Sequence, residues 1–193
     1  MQTPAPHPNW REGLPLLVTP RVVLREMRRS DAASLWRVSR SPEVARYAWP
    51  GPATADVFEA FITRAWRDRT EGKYACFAAV PSEQADPTGI FELRSLQPNF
   101  FRAELGLLVD PPMFDTGVFE DAMRLVCGFA FRTVGVRRIE MRVSSTHARC
   151  NAALEQLGAK KEATLRAAFP QGRRFEDQYL WSVVSGLDRL AAP

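Results

Sequence analysis

The sequence is poor in the residues that mark several classes of protein. Its three cysteines, Cys76, Cys127 and Cys150, lie far apart and show no C-x-x-C spacing. A sparse, odd number of cysteines argues against a disulfide framework and favours a reducing compartment. No group of His, Cys, Asp or Glu has the spacing of metal ligands. We therefore expect a cytoplasmic protein that binds no metal.

Long apolar runs and targeting signals are also missing. The uncharged apolar stretches are well below the roughly 18 residues that a membrane span needs. The first ten residues, MQTPAPHPNW, have neither the basic nor the apolar region of a secretory signal. We therefore expect neither membrane insertion nor secretion.

Positive charge is in excess, but it is not concentrated. The net charge is +4, and the 26 Lys and Arg residues are scattered along the chain. There is no basic tail and no pattern of aromatic residues for base stacking. A solvated basic surface therefore explains the charge better than direct nucleic-acid binding.

Alternating strand-like and helix-like segments fill most of the 193 residues. Residues 1–17 are rich in proline and predict an arm, 18–186 a single domain and 187–193 a tail. The order β-α-α-β-β-β-α-β-α-β-β favours an α/β domain with a mixed sheet. The expected strands lie near 21–27, 74–80, 89–96, 102–110 and 137–144, followed by a hairpin of 160–169 and 173–184.

One stretch, LGLLVDPPMFDTGVFEDAMRLVCGFAF, reads as a strand, a tight loop and a helix. Loops of this kind hold phosphates, because the first N–H groups of a helix have no partner inside the helix. This loop contains one glycine, Gly117, and places Asp115 where an anion would lie. The residues alone leave open whether it binds a phosphate or only turns the chain.

Five segments, in matching order and spacing, resemble the Gcn5-related N-acetyltransferase (GNAT) superfamily. Within it they are most similar to the branch of ribosomal-protein alanine N-acetyltransferases. The segments are TPRVVLREMRRSDAASLWRV, SPEVARY, GFAFRTVGVRRIEMRV, CNAALEQLGAKKEATLR and GRRFEDQYLWSVV. The resemblance covers residues 17–184. It implies one α/β domain with a mixed, mostly antiparallel sheet of about seven strands, flanking helices and a splayed central strand pair.

The resemblance implies an acyltransferase that moves an acetyl group from acetyl-CoA, as co-substrate, to a primary amine. The acceptor is either a protein N-terminus or a small amine, and the protein is a monomer or a homodimer. However, the family loop R/Q-x-x-G-x-G/A reads Pro112 to Gly117 here, and only the last position matches. The alternative is a degraded GNAT-fold module for ligand binding or interaction. Direct nucleic-acid binding ranks third.

The family pattern also implies where the donor binds. Its pantetheine arm is expected between the splayed strands, and its phosphates at the backbone N–H groups of residues 116–119. Gly117 is expected to tolerate no side chain, because a Cβ there would block either close approach of the phosphates or a positive φ. Asp115 is expected to turn away from the phosphates and cap the helix. Arg124 or Arg149 either supplies positive charge or is solvated surface. The donor-binding residues implied are Leu107, Leu108, Val109, Phe114, Thr116, Gly117, Val118, Phe119, His147 and Asn151.

Acetyl transfer needs a neutral amine and a proton for the leaving thiolate. The family pattern implies Glu104 as the group that takes the amine proton, with Glu92 as the second candidate, and Cys150 as the proton donor to the thiolate. Structural ion pairs for the glutamates, and a small buried residue at Cys150, stay open as alternatives. By analogy the acceptor is bound by Tyr47, Trp49, Glu92 and Phe175.

Overall fold

A computed structural model describes residues 9–47, 54–171, 174–186 and Leu190. The described residues form eight strands and five α-helices. In chain order these are β1 (Leu17–Val18), β2 (Val22–Glu26), α1 (Ala32–Arg40), α2 (Pro42–Tyr47), α3 (Ala55–Thr70), β3 (Tyr74–Pro81), β4 (Gly89–Ser95), β5 (Arg102–Val109), α4 (Val118–Phe129), β6 (Arg138–Ser144), α5 (Ala148–Gln156), β7 (Lys160–Gln171) and β8 (Arg174–Val184).

The strands form one sheet in the order β1-β2-β3-β4-β5-β6-β8-β7. Every neighbouring pair is antiparallel except β5 and β6. The mixed, mostly antiparallel sheet is therefore confirmed, with one strand more than expected. The additional strand is β1, whose two residues pair with Leu24 and Val23. Two residues are too few to show the alternation by which a sequence predicts a strand.

The central parallel pair separates along its length. β5 and β6 are in register at only three pairs, Arg102 with Arg138, Ala103 with Ile139 and Glu104 with Glu140. Beyond Glu104 the strands diverge, while β5 stays paired with β4 as far as Val109. The splayed central pair is thus confirmed. From residue 105 onward, the edge of β5 toward β6 carries no partner strand within the described chain.

The two faces of the sheet are covered by different helices. One face packs against α4 and α5 and contains Leu105 and Phe119. The other packs against α1 and α3 and contains Phe58 and Ile90, with Leu108 partly buried beside them. Because successive strand residues point to opposite faces, β5 contributes to both cores in alternation. The gap beside β5 therefore connects the two sides of the sheet.

Part of the predicted N-terminal arm packs on this domain. Trp10 is buried and makes edge-to-face contacts with Phe100 and Phe129, at centroid distances of 5.6 and 6.4 Å. The carbonyl group of Arg11 accepts a hydrogen bond from Arg69. The described end of the arm thus contributes to the core, since a buried tryptophan removes a large apolar area from water.

Candidate active site

A cleft opens where β5 and β6 separate; we call it the strand cleft. It is lined by residues 105–109 of β5, by residues 141–144 of β6, by the loop after β5, and by parts of α2 and α5. Seven predicted site residues line it: Tyr47, Leu107, Leu108, Val109, Phe114, His147 and Cys150. An extended ligand in this cleft could pair with the free edge of β5 as an added strand would.

His147 stands at the mouth of the strand cleft in an aromatic environment. Its ring stacks on Tyr47 at a centroid distance of 4.0 Å and lies edge-on to Phe114 at 5.9 Å. Burial lowers the pKa of His147. Glu43 raises this pKa by less than burial lowers it, and Arg149 lowers it further. The ring is therefore neutral at pH 7, with one nitrogen that donates and one that accepts.

The turn before α4 has the backbone that a phosphate loop needs. Gly117 is the N-cap residue, with φ of +74°, and no side chain caps the helix. Asp121 N–H donates to the carbonyl of Gly117, so the N–H groups ahead of it are at the open end of the helix. Of the two reasons expected for a glycine at position 117, the structure shows the positive φ.

The prediction that Asp115 caps the helix is wrong. Its carboxylate is 67% exposed and lies 3.5 Å from Arg149 Nη1. The physical reason is the positive charge beside it: Arg149 projects from α5 across the mouth of the strand cleft and attracts the carboxylate. Asp115 ends the short 3-10 turn of Pro111–Phe114 instead of serving the helix that follows.

Arg149 joins three elements at this mouth. Its Nη1 donates to the carbonyl of Pro111 at 3.1 Å and lies 3.9 Å from Glu43 on α2, in addition to its pair with Asp115. Arg124, the other arginine considered from the sequence, is exposed on α4. Arg149 is thus the cation that stands beside both the loop and the strand cleft.

Four predicted donor-binding residues have other contacts. Thr116 Oγ1 donates to the carbonyl of Pro112. The side chains of Val118 and Phe119 are buried in the core, which leaves only their backbone N–H groups for an anion. Asn151 is fully engaged: its amide donates to the carbonyls of Ser144 and His147 and accepts from Trp181. Asn151 therefore holds α5 against β6 and β8 rather than facing the cleft.

A second pocket, which we call the aromatic pocket, adjoins the strand cleft on the α3 side of the sheet. It is lined by Phe58, Phe61, Ile90, Glu92, Arg94, Glu104, Ala168, Phe169, Pro170 and Gln178. It shares five further lining residues with the strand cleft: Tyr47, Gly106, Leu107, Leu108 and Arg142. The two spaces therefore meet at the gap between β5 and β6.

Both candidate glutamates line the aromatic pocket, but their surroundings differ. Glu92 lies opposite Gly106 in the β4–β5 register and accepts a hydrogen bond from Tyr74. Burial, reinforced by neighbouring groups, raises the pKa of Tyr74, so its phenol stays protonated and donates. Glu104 sits where β5 and β6 are still paired, and its carboxylate is bound by Arg94. The geometry favours Glu92 over Glu104 as the carboxylate beside the gap.

Cys150 lines the strand cleft but is fully buried. Burial raises the pKa of its thiol to about 12. An ordinary alkyl thiol has a pKa of about 8.5, so transfer of the Cys150 proton to a free thiolate would be uphill by about 5 kcal/mol. This favours the alternative of a small buried residue at Cys150.

The predicted acceptor residues are only partly brought together. Tyr47 and Glu92 line the aromatic pocket, Phe175 is 67% exposed and lies outside its lining, and Trp49 lies outside the described residues. The hairpin contributes Phe169 and Pro170 instead. Its tip is tied to α2 by Gln171, which donates to the carbonyl of Arg46.

Sequence reasoning missed two residues at the junction of the two spaces, Gly106 and Arg142. A glycine inside a strand pattern signals close approach of another group, and this signal was available for Gly106. Arg142 alternates with buried residues on β6 and is exposed, so its position in the pattern indicates only a solvent-facing residue. In the described ranges, no group of three or more potential metal ligands lies together. No described helix has the length and apolarity to cross a membrane.

Comparison with known proteins agrees with this geometry. The acetyltransferase (GNAT) domain model matches residues 21–160, which include both strands of the cleft. An uncharacterized N-acetyltransferase of Bacillus subtilis strain 168, YoaA, is 24% identical over 182 residues, covering 88% of this chain and 97% of that protein.

Two solved structures share the fold. The ribosomal-protein-S5-alanine acetyltransferase from Vibrio fischeri has a TM-score of 0.79 at 16% identity, over 88% of this chain and 96% of that one. The microcin C7 self-immunity acetyltransferase MccE, solved in complex with acetyl-CoA and AMP, has a TM-score of 0.74 at 16% identity, over 86% and 93% of the two chains. Because the family model spans most of the sequence, the chain belongs to the GNAT acetyltransferase domain family.

Proposed function

We propose that the protein is an N-acetyltransferase that transfers an acetyl group from acetyl-CoA to a primary amine. The observation that carries the proposal is the gap between β5 and β6, through which the strand cleft and the aromatic pocket meet. One space has the backbone edge and helix terminus for a long anionic donor. The other has a carboxylate and apolar walls for an amine.

The strand cleft suits the donor along its length. The free edge of β5 from residue 105 to 109 offers backbone groups to the amides of the pantetheine arm. His147, neutral and lining the cleft, can donate or accept in place of an asparagine. The open N-terminus of α4 and the charge of Arg149 offer an anion site for the diphosphate.

Acetyl-CoA supplies a thioester: the amine nitrogen forms a bond to the carbonyl carbon, the C–S bond breaks, the amine releases one proton and the thiolate takes one up. Glu92 accepts the amine proton, directly or through water, and Tyr74 holds its carboxylate in place. The backbone N–H of Val109, which points away from β4 and toward the gap, polarises the thioester carbonyl. An α-amine, with a pKa of about 8, needs less help from Glu92 than a lysine with a pKa of about 10.4.

Thiol release from acetyl-CoA in the presence of a panel of amines tests the proposal. The panel contains peptides with free N-termini, amino acids and simple amines. We expect release with at least one amine, and a loss of about 10²- to 10⁴-fold in kcat for Glu92→Gln. Glu155→Gln, a change of an exposed carboxylate on α5, is the matched control and keeps full activity. If the wild type releases thiol and Glu92→Gln releases it at the same rate, Glu92 has no part in the mechanism.

One observation favours a second candidate, a ligand-binding module without catalysis. Arg149, a cation between the loop and the strand cleft, is already paired with Asp115 and Glu43. If these pairs keep the donor out, Asp115→Gly would raise donor affinity from undetectable to measurable. Turnover of acetyl-CoA by the unmodified protein would exclude this candidate.

A further inference from the structure

We propose that the acceptor is a hydrophobic α-amino acid, that is, a small amine that also carries a carboxylate. Arg142 binds this carboxylate. The proposal rests on the proposed function and names the substrate class of the same site. Its starting point is the position of Arg142, which lines both the strand cleft and the aromatic pocket. No other charged residue lines both spaces in the described part of the chain.

The register of the strands puts Arg142 beside the reacting groups. Glu104 and Glu140 are the last pair of the parallel ladder. Two residues further along each strand are Gly106 on β5 and Arg142 on β6, which face each other across the opening gap. Arg142 therefore stands on the far side of Gly106 from Glu92, which is the β4 partner of Gly106.

The guanidinium of Arg142 has no partner, in contrast to its neighbours. Arg94 is paired with Glu104, and Arg138 with Glu140 and Glu162. Arg142 is exposed on β6 and makes no side-chain hydrogen bond or ion pair with any described residue. The carboxylates of the aromatic pocket are already engaged, Glu104 by Arg94 and Glu92 by Tyr74. An arginine stays charged at physiological pH, so this site offers a permanent cation to an anionic ligand.

The diphosphate of the donor does not fill this role. The expected phosphate site begins after the last residue of β5, and Gly106 lies four residues before Asp110. At about 3.3 Å per strand residue, Gly106 and Asp110 are about 13 Å apart, and the N–H groups of residues 116–119 follow Asp110 in the chain. The anion at Arg142 is therefore expected from the acceptor.

The spacing fits an α-amino acid. The backbones of β4 and β6 lie on opposite sides of β5, about 10 Å apart where strands are paired and further apart at the gap. Gly106 has no side chain, and the carboxylate of Glu92 leans into the space above it. Glu92 and Arg142 thus approach one compact ligand from opposite sides, with the amine at Glu92 and the carboxylate at Arg142. Arginine binds a carboxylate through two parallel hydrogen bonds.

The remaining walls favour an apolar side chain on this ligand. Phe58, Phe61 and Ile90 line one side of the pocket, and Phe169 of the hairpin lines the other. Convergent polar groups among aromatic walls are typical of small-molecule sites. A protein N-terminus would present a neutral peptide carbonyl to Arg142, a weaker partner than a carboxylate.

The test compares four probes that share one aromatic amine: L-phenylalanine, L-phenylalaninamide, phenethylamine and the tripeptide Phe-Gly-Gly. Rates are compared per concentration of neutral amine, because the amine pKa differs among the probes. We expect kcat/KM for L-phenylalanine to exceed that of the other three by about 10-fold or more. Equal or better use of the amide or the tripeptide would overturn the inference and leave the acetyltransferase proposal standing.

Variants of Arg142 separate recognition from structure. Arg142→Ala should raise KM for L-phenylalanine by about 10- to 100-fold, with no change for phenethylamine and no change in acetyl-CoA affinity, and Arg142→Lys should recover part of the loss. Arg40→Ala, a change of an exposed arginine at the end of α1, is the control. An equal loss for both probes in Arg142→Ala would contradict carboxylate recognition.

Binding is measured as well as turnover. L-phenylalanine is titrated calorimetrically into the protein saturated with CoA, and we expect heat with the wild type and none with Arg142→Ala. Absence of heat with the wild type overturns the inference even if other amines are acetylated. Failure of the proposed function is distinct, since it would appear as failure to bind acetyl-CoA at all.

Discussion

The carboxylate of Glu92 occupies the space that a side chain on Gly106 would fill. A Cβ on Gly106 would lie 2.5 Å from Glu92 Oε1 and 2.8 Å from its Cγ. The two residues are directly opposite in the β4–β5 register, at the level where β5 loses its pairing with β6. The glycine thus lets the carboxylate lean toward the gap in which we place the amine.

Gly106→Ala is expected to push Glu92 away from the gap. We predict a decrease of about 10- to 100-fold in kcat, because the general base loses its position. The double variant Gly106→Ala, Glu92→Gln should be no worse than Glu92→Gln alone, since both changes remove one interaction. Gly13→Ala, where a Cβ meets nothing within 4 Å, is the control. Additive losses in the double variant would show that Gly106 acts independently of Glu92.

Gly117 and Gly135 share a backbone conformation but not a location. Their φ values are +74° and +88°. Alanine at either position is expected to destabilise the fold by about 1–2 kcal/mol, because an L-residue is strained there. Only Gly117→Ala should weaken acetyl-CoA binding. Denaturant titrations and donor affinities of both variants check this, and equal donor affinity in the two would remove the α4 turn from the donor site.

Asp115 and Arg149 are expected to have opposite effects on the affinity for acetyl-CoA. Asp115→Asn removes a negative charge and releases Arg149, so we predict about 3- to 10-fold tighter binding of acetyl-CoA at low salt and a smaller gain at high salt. Arg149→Ala should weaken binding by about 10-fold. Isothermal titration at two salt concentrations measures both effects, with Glu155→Gln as the control. Weaker binding by Asp115→Asn would mean that this carboxylate supports the loop.

The pKa of the Cys150 thiol, about 12, gives a prediction on pH dependence. A group with this pKa does not titrate between pH 6 and 10. Cys150→Ala should therefore leave the shape of the kcat profile unchanged in that range, with less than a 10-fold loss of rate. If the wild type shows a fall in kcat at alkaline pH that Cys150→Ala lacks, Cys150 is the proton donor after all.

The same thiol affects stability at high pH. Its folded pKa is raised above the unfolded value of about 8.5, so its contribution to stability is fully present below that pH and is lost as the pH rises toward 12. Denaturation curves of Cys150→Ala between pH 8 and 11 should therefore fall less steeply with pH than those of the wild type.

Much of the fold could be predicted because its signals are local. Alternation in β6, the turn at Gly117 and the segments shared with the family each lie within one continuous stretch of the sequence. The donor edge at residues 107–109 could also be predicted, because the family order of elements places its strand beside the gap. The position of His147 at the start of α5 follows from the family order in the same way.

The partners of side chains could not be predicted, because they depend on residues distant in sequence. The family pattern implies Glu104 as the first candidate base, but Arg94 of the neighbouring strand β4 binds its carboxylate. Asp115 was expected on the helix, but Arg149 from α5 holds it. The resemblance implies Asn151 as a donor-binding residue, yet Ser144, His147 and Trp181 take up its hydrogen bonds. In each case the side chain contacts a tertiary partner that no local sequence pattern encodes.

The central claim is that the gap between β5 and β6 holds acetyl-CoA. A calorimetric titration of acetyl-CoA into the wild-type protein tests it most directly. We predict one site per chain, with a dissociation constant in the micromolar to submillimolar range typical of enzyme substrates, and competition by CoA. No heat and no thermal shift at millimolar acetyl-CoA would contradict the account.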